Sequence, residues 1–202
     1  MGNNSLPYEI IAAPFTVWFA PVGTAFPTVD GVPAVTWKKV GSSGDLNYFD
    51  EGVKVSHAQS MSKFRALGDA GSRKVFRTEE DLSIGLTLAD VTLEQYAHAL
   101  NSNAITAVAA SAGVAGYKKI GLSRGFAVAT VALLVRGPSP YMDLGNMQYE
   151  VPRAAQSGTP EVVYRKNEPA GLALLWEALV DPNAANEFER FGVLRAMTAV
   201  AL

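Results

Sequence analysis

The chain predicts a mainly β fold: an antiparallel β-sandwich or barrel-like domain with one flanking α-helix and a long β-hairpin arm. Three observations carry this. Leu82, Ile84, Leu86 and Leu88 alternate with Asp81, Ser83, Gly85 and Thr87, the two-residue period of a strand with one buried and one wet face. That strand runs directly into a helical pattern, TLEQYAHALN. Along the rest of the chain, short β-branched and aromatic segments recur between glycine and proline turn signals.

In the strand-to-helix unit, Thr92 and Gln95 fit a capping box, with Val91 placed to pack on Tyr96 as a staple. Leu93, Tyr96, Ala97 and Leu100 then form one apolar stripe, so Leu93, Tyr96 and Leu100 are expected to pack the helix on the sheet. Asn101 is a natural stop. One sheet face is thereby covered and the other left polar.

A chain of 202 residues suffices for one substantial core, and a single domain over 1–202 is expected, with residues 1–13 as an N-terminal arm. The hydrophobic share of 49% against 18% charged belongs to an ordered protein. A formal net charge of -2 gives no general attraction to nucleic acid or anionic membrane. With no cysteine, disulfides and thiolate metal sites are excluded. The start, MGNNSLPYEI, lacks the basic and apolar regions of a signal peptide and misses the myristoylation pattern because Ser5 falls one place early. The longest apolar run, 126–135, is too short for a membrane helix, so an intracellular product with no membrane residence is expected.

Residues 14–20, PFTVWFA, read as the first strand, followed by a turn-rich segment punctuated by Pro21, Pro27, Gly31 and Pro33 and closed by Trp37 and Gly41. Short strands are expected at 44–49 and 51–57. Between His57 and Val75 lies the arm, 58–74, with Lys63, Arg65, Arg73 and Lys74 around a tip containing Gly68, Asp69 and Gly71. Composition leaves it either a solvated loop or an interaction loop. Residues 104–116 are weakly specified. Residues 126–135, FAVATVALLV, are apolar on both alternating faces, which predicts a strand covered on both sides. Further strands are expected at 147–151 and 161–165. Residues 172–180 form another, with a helix as the competing reading and 188–198 as its hairpin partner.

Chemical motifs are sparse. Gly121-Leu122-Ser123-Arg124-Gly125 fits the nucleophile-elbow pattern, but His57 and His98 both precede Ser123, against the order that architecture uses, so a glycine-flanked turn is the better reading. Both histidines read as surface or interface residues. Glu79, Glu80 and Asp81 are adjacent on a strand and so point to opposite faces. No enzyme, metal site or cofactor is expected.

The succession PVGTAFP, Trp37 to Gly41, GDLNYFDEGVKV, a long arm and TEEDLSIGLTLADVTLEQYAHALN resembles the tail tube (major tail) proteins of long-tailed bacteriophages. The resemblance covers most of 20–101 and, more weakly, LLWEALVDP near the C-terminus. It implies hexameric rings stacked into a hollow tube, built around a tape-measure protein and closed by tail terminator and tip proteins. DNA passes through without specific binding, and the protein resides in the virion tail after assembly in the host cytoplasm. The arm would reach the neighbouring ring through Lys63, Phe64, Arg65, Leu67, Arg73 and Lys74. Glu79, Asp81, Ser83 and Thr87 would face the channel, with Arg77 the exception, since a wall of carboxylates and hydroxyls repels phosphate where lysine and arginine would hold it. The alternative is another virion component, a head decoration or tail-tip adaptor.

Overall fold

A computed structural model describes residues 6–201; the first five residues of the expected N-terminal arm lie outside them. The rest of that arm contains one 3-10 turn, Pro7–Glu9. The described elements are β1 (Thr16–Pro21), β2 (Lys38–Lys39), β3 (Lys54–Phe64), β4 (Lys74–Leu88), α1 (Leu93–Ala99), β5 (Ile105–Val108), β6 (Tyr117–Ile120), β7 (Thr130–Pro138), β8 (Asn146–Gln156), β9 (Leu172–Ala178) and β10 (Val193–Ala196). The main sheet runs β2-β1-β7-β8-β9-β4-β3, with β10 also paired to β8, while β5 and β6 form a small separate hairpin. Every strand pairing is antiparallel. The fold is mainly β with one flanking helix. No helix among the described residues is long and apolar enough to cross a membrane.

The alternation in β4 sets the core. Leu82, Ile84, Leu86 and Leu88 are buried on one face and meet Leu172, Leu174 and Trp176 of β9, Val151 and Ala154 of β8, and Val17, Leu133 and Val135 beyond them. Each such leucine, isoleucine or valine side chain contributes about 1.5–3 kcal/mol when withdrawn from water. The apolar run around β7 is covered on both sides, as its composition predicts. Ala132 and Leu134 face the opposite way and pack with Ala20, Trp37, Trp18 and Phe26. The turn-rich segment after β1 supplies that second cover. Arg136 pins it by donating to the carbonyls of Gly31 (2.6 Å) and Thr28 (2.9 Å), and Gln148 by donating to that of Pro27 (2.9 Å).

The sheet curls until its distant strands meet. Tyr48 forms a bridge to Leu88 at the end of β4, yet its hydroxyl accepts from the Val17 N–H of β1 (3.1 Å) and donates to the Val40 carbonyl (2.8 Å). Burial pushes the Tyr48 phenol up to about 12, so it stays protonated in that seam. His98 of α1 bridges the same gap from above. Its ring lies 4.4 Å from that of Phe19 on β1 and 6.2 Å from that of Trp176 on β9. Three strand spacings, roughly 14 Å on a flat sheet, separate those strands.

Several expectations are corrected. Residues 44–49 are not a strand: Gly44, at φ 71°, opens the 3-10 turn Gly44–Asn47, and Tyr48 alone bridges to a strand. Residues 104–116 are not featureless, since they carry β5 and lead into β6. Residues 126–129 precede β7, which begins at Thr130. Residues 161–165 contain isolated bridges in place of a strand, and Pro160 and the tight Arg165 to Glu168 turn interrupt any ladder. β10 pairs with β8, not with β9: both strands lie along one edge of β8, separated by the excursion 179–192.

The helix also differs. Leu100 is buried and Tyr96, half-buried, packs against the core as expected, but the most buried residues within the helix are Gln95, His98 and Ala99, and Leu93 is only half-buried. The capping box does not form. Gln95 Oε1 instead accepts from the Gly41 N–H at 2.8 Å, satisfying a backbone group that the core would otherwise strand. Asp90 instead takes the N–H of the N-cap residue, accepting from Thr92 N (3.1 Å), and also accepts from the Ser42 backbone (3.0 Å) and hydroxyl. Burial raises the Asp90 carboxyl, but these hydrogen bonds outweigh it and hold the group below the ordinary range. His98 is buried, not on the surface, and burial pushes its imidazole down to about 4.

Candidate assembly surface

Beyond the body, β3 and β4 continue as a two-stranded ribbon. From Ala58 to Phe64 and from Lys74 to Glu79 every side chain is exposed, and the ladder persists to Phe64↔Lys74. The arm is therefore mostly ribbon, with a short tip. Asp69 orders that tip, accepting from Gly71 N (2.9 Å) and from Arg73 Nε (3.0 Å), contacts that hold its carboxyl below the ordinary range. Arg73 N donates to the Phe64 carbonyl at 2.9 Å, closing the turn.

Lys63, Phe64, Arg65, Leu67, Arg73 and Lys74 all lie exposed on this ribbon and tip, four cations against the single carboxylate of Asp69. Cross-strand register groups Ser62, Phe64, Lys74 and Phe76 on one face, with Lys74 Nζ 4.9 Å over the Phe76 ring. Met61, Lys63, Val75 and Arg77 occupy the other. Leu67 is fully exposed at the tip, and Phe64 is 57% exposed. A two-stranded ribbon has no third layer to cover such groups and is marginal alone in water. Among the described residues the outer edge of β3 is also unpaired along its eleven residues, since the sheet ends there.

A β-bulge joins arm to body. Ser60 pairs with Glu79 and Met61 with Arg77, leaving Thr78 as the extra residue. The parity of β4 therefore changes at Thr78, and Arg77 leaves the face of Glu79. Its Nε donates to Gln59 (3.2 Å) and its Nη1 lies 3.4 Å from Glu80, which also receives Arg190 (3.0 Å). One inserted residue thus turns Arg77 away from the face shared by Glu79, Asp81, Ser83 and Thr87.

The polar face of the body follows from the same register. Glu79, Asp81, Ser83 and Thr87 share it with Lys54, Ser56, Ala58 and Ser60 of β3 and with Ala173, Leu175 and Glu177 of β9. Glu79, Asp81 and Glu177 are exposed and form no ion pair among the described residues. Glu177 was missed in the sequence, although Leu172, Leu174 and Trp176 alternate against Ala173, Leu175 and Glu177 and give the signal. Leu93, Tyr96 and Leu100 sit with α1 on the far side of the sheet from this face. Ser123 lies in an exposed loop, its hydroxyl accepting from Gly125 N at 3.3 Å, and His98 is enclosed by Phe19 and Trp176, so the residues of the elbow pattern are not assembled.

Among known proteins, the chain matches no family model and no curated sequence.

Proposed function

We propose that this chain is a self-assembling structural subunit of the phage tail-tube kind, stacking as rings around a polar channel. The observation that carries this reading is the ribbon: a basic arm with uncovered aromatic groups, built as a direct extension of two sheet strands. Its partner is a second copy: Asp50 and Glu51 lie just before β3, at the opposite end of the hairpin, where a neighbour's arm cations would meet opposite charge. Head-to-tail contacts of this kind are heterologous, closing into rings or propagating as filaments. The unpaired β3 edge offers a further site for strand addition between neighbours. The polar face, where the carboxylates of Glu79, Asp81 and Glu177 outnumber the cation of Lys54, then lines the channel, where it repels phosphate and lets DNA pass without specific binding. In this reading a tape-measure protein occupies the channel during assembly, and terminator and tip proteins close the ends in the virion.

Electron microscopy and mass measurement of the purified protein test the proposal. Extended hollow tubes are expected, and deletion of residues 61–72 should leave a folded monomer that no longer polymerises. Discrete closed assemblies would favour a head decoration or tail-tip adaptor, and a protein that stays solitary under all conditions would overturn self-assembly.

A further inference from the structure

The arm is not the sole protruding surface. Residues 121–128 are exposed without interruption, yet they are fixed. Asn101, in the left-handed region at φ 61°, donates to the carbonyls of Arg124 (2.8 Å) and Ala127 (2.6 Å) and accepts from Ala129 N (2.5 Å). Asn103 donates to the carbonyls of Gly121 and Ser123, both at 2.7 Å. Two side chains thus spend their hydrogen bonds on holding a loop that buries none of its own apolar groups. Phe126 is fully exposed and Leu122 is 76% exposed. The chain around it is basic: no carboxylate occurs between Glu94 and Asp143, while Lys118, Lys119, Arg124 and Arg136 do. Glu94 engages Lys118 at 2.6 Å, leaving Lys119 and Arg124 without an ion pair among the described residues.

Its complement lies on the same chain at the other end. Thr130, Ala155, Glu177 and Ser83 align across four strands, and β7 runs from Thr130 toward the arm end, so the loop leaves the sheet at the end away from the arm. The excursion between β9 and β10 lies beside the arm's root, tied to it by the Arg190 contact with Glu80. It presents Asp181, Glu187 and Glu189, with Phe188 87% exposed and held out by its backbone N–H bonding to Asn186 Oδ1 (3.0 Å). A cleft of about 450 Å³ opens there between Glu79, Glu187, Phe188 and Phe191. The arm and this acidic turn share one end, so when copies stack head to tail the turn cannot meet a neighbour's arm. It meets the neighbour's far end, where the loop is.

We propose that loop 121–128 is a second docking surface, which takes the acidic 181–189 turn of another copy of this chain. Phe126 and Leu122 pack against Phe188 and the cleft, and Lys119 and Arg124 face Glu187 and Glu189. Charge matching of this kind fixes register and excludes wrong partners more than it adds affinity. The inference rests on the stacking reading above.

The chain has no cysteine, so engineered thiols report without background. Ala127→Cys and Ala185→Cys, both at exposed positions, placed in one full-length chain and treated with a short bis-maleimide, should yield a ladder of covalent multimers from assembled tubes. Either single variant should yield no species beyond a dimer. As a second arm, Arg124→Glu should raise the concentration needed for assembly about tenfold and Glu187→Arg in the same chain should restore it. Normal tubes that give no ladder, or an Arg124→Glu defect that Glu187→Arg leaves in place, overturn the docking assignment while the tube reading stands. A wild-type chain that never stacks overturns both.

Discussion

Residues 74–81 and 82–88 belong to one unbroken strand, β4, but they meet different environments. In the second stretch every other residue is buried in the core; in the first every side chain is exposed except Glu80, half-covered where the excursion 179–192 brings Arg190 against it. Both stretches carry apolar side chains, Leu82 and Ile84 in one, Val75 and Phe76 in the other. The difference shows that an alternating pattern specifies a strand, while the availability of a covering layer decides whether its apolar residues stabilise the monomer or await another molecule.

Substitutions should separate the two environments. The largest effect is expected in the body: Trp176→Ala removes a 3% exposed side chain that meets His98, and should lower unfolding free energy by about 3–5 kcal/mol in urea titration. A loss under about 1 kcal/mol would mean the curl is held elsewhere.

Next comes pH. The fold keeps His98 neutral down to about 4, whereas the unfolded chain takes up that proton near 6.5. Its contribution is therefore complete above the unfolded value and is lost as pH falls from 6.5 toward 4, about 3 kcal/mol in all. His98→Phe should flatten the stability profile across that window, and an unchanged slope would assign the pH dependence to the carboxylates.

The smallest effect on stability belongs to the arm. Phe64→Ser with Phe76→Ser should change unfolding free energy by less than about 0.5 kcal/mol per site, while abolishing assembly measured by light scattering. A clear loss of monomer stability would show that the ribbon folds back on its own body.

The elements legible from sequence were those set by local repetition. The alternation from Leu82 to Leu88, the two-sided cover implied by ALLV and the arm between two matched strands all depend on neighbours in the chain. The failures depend on partners far away. Gln95 reads as half of a capping box until Gly41, 54 residues earlier, claims its carbonyl oxygen. His98 sits in a seven-residue helix, too short for its stripe to fix which side faces inward. The turn between residues 172–180 and 188–198 suggests that the two pair with each other, but β8 offers a free edge of the right length to β10. Of the candidate assembly surface, the exposed arm cations and the polar face of Glu79 are readable, whereas nothing in TEE marks Thr78 as an inserted residue.

That inserted residue has a geometric consequence. Bulges sharpen the right-handed coil of the ribbon that contains them, and this one sits at the shoulder where the arm departs from the barrel. Were copies joined through the arm as proposed, the shoulder angle would be copied at every level, and a single threonine would be the dial for how far each storey rotates over the one beneath it.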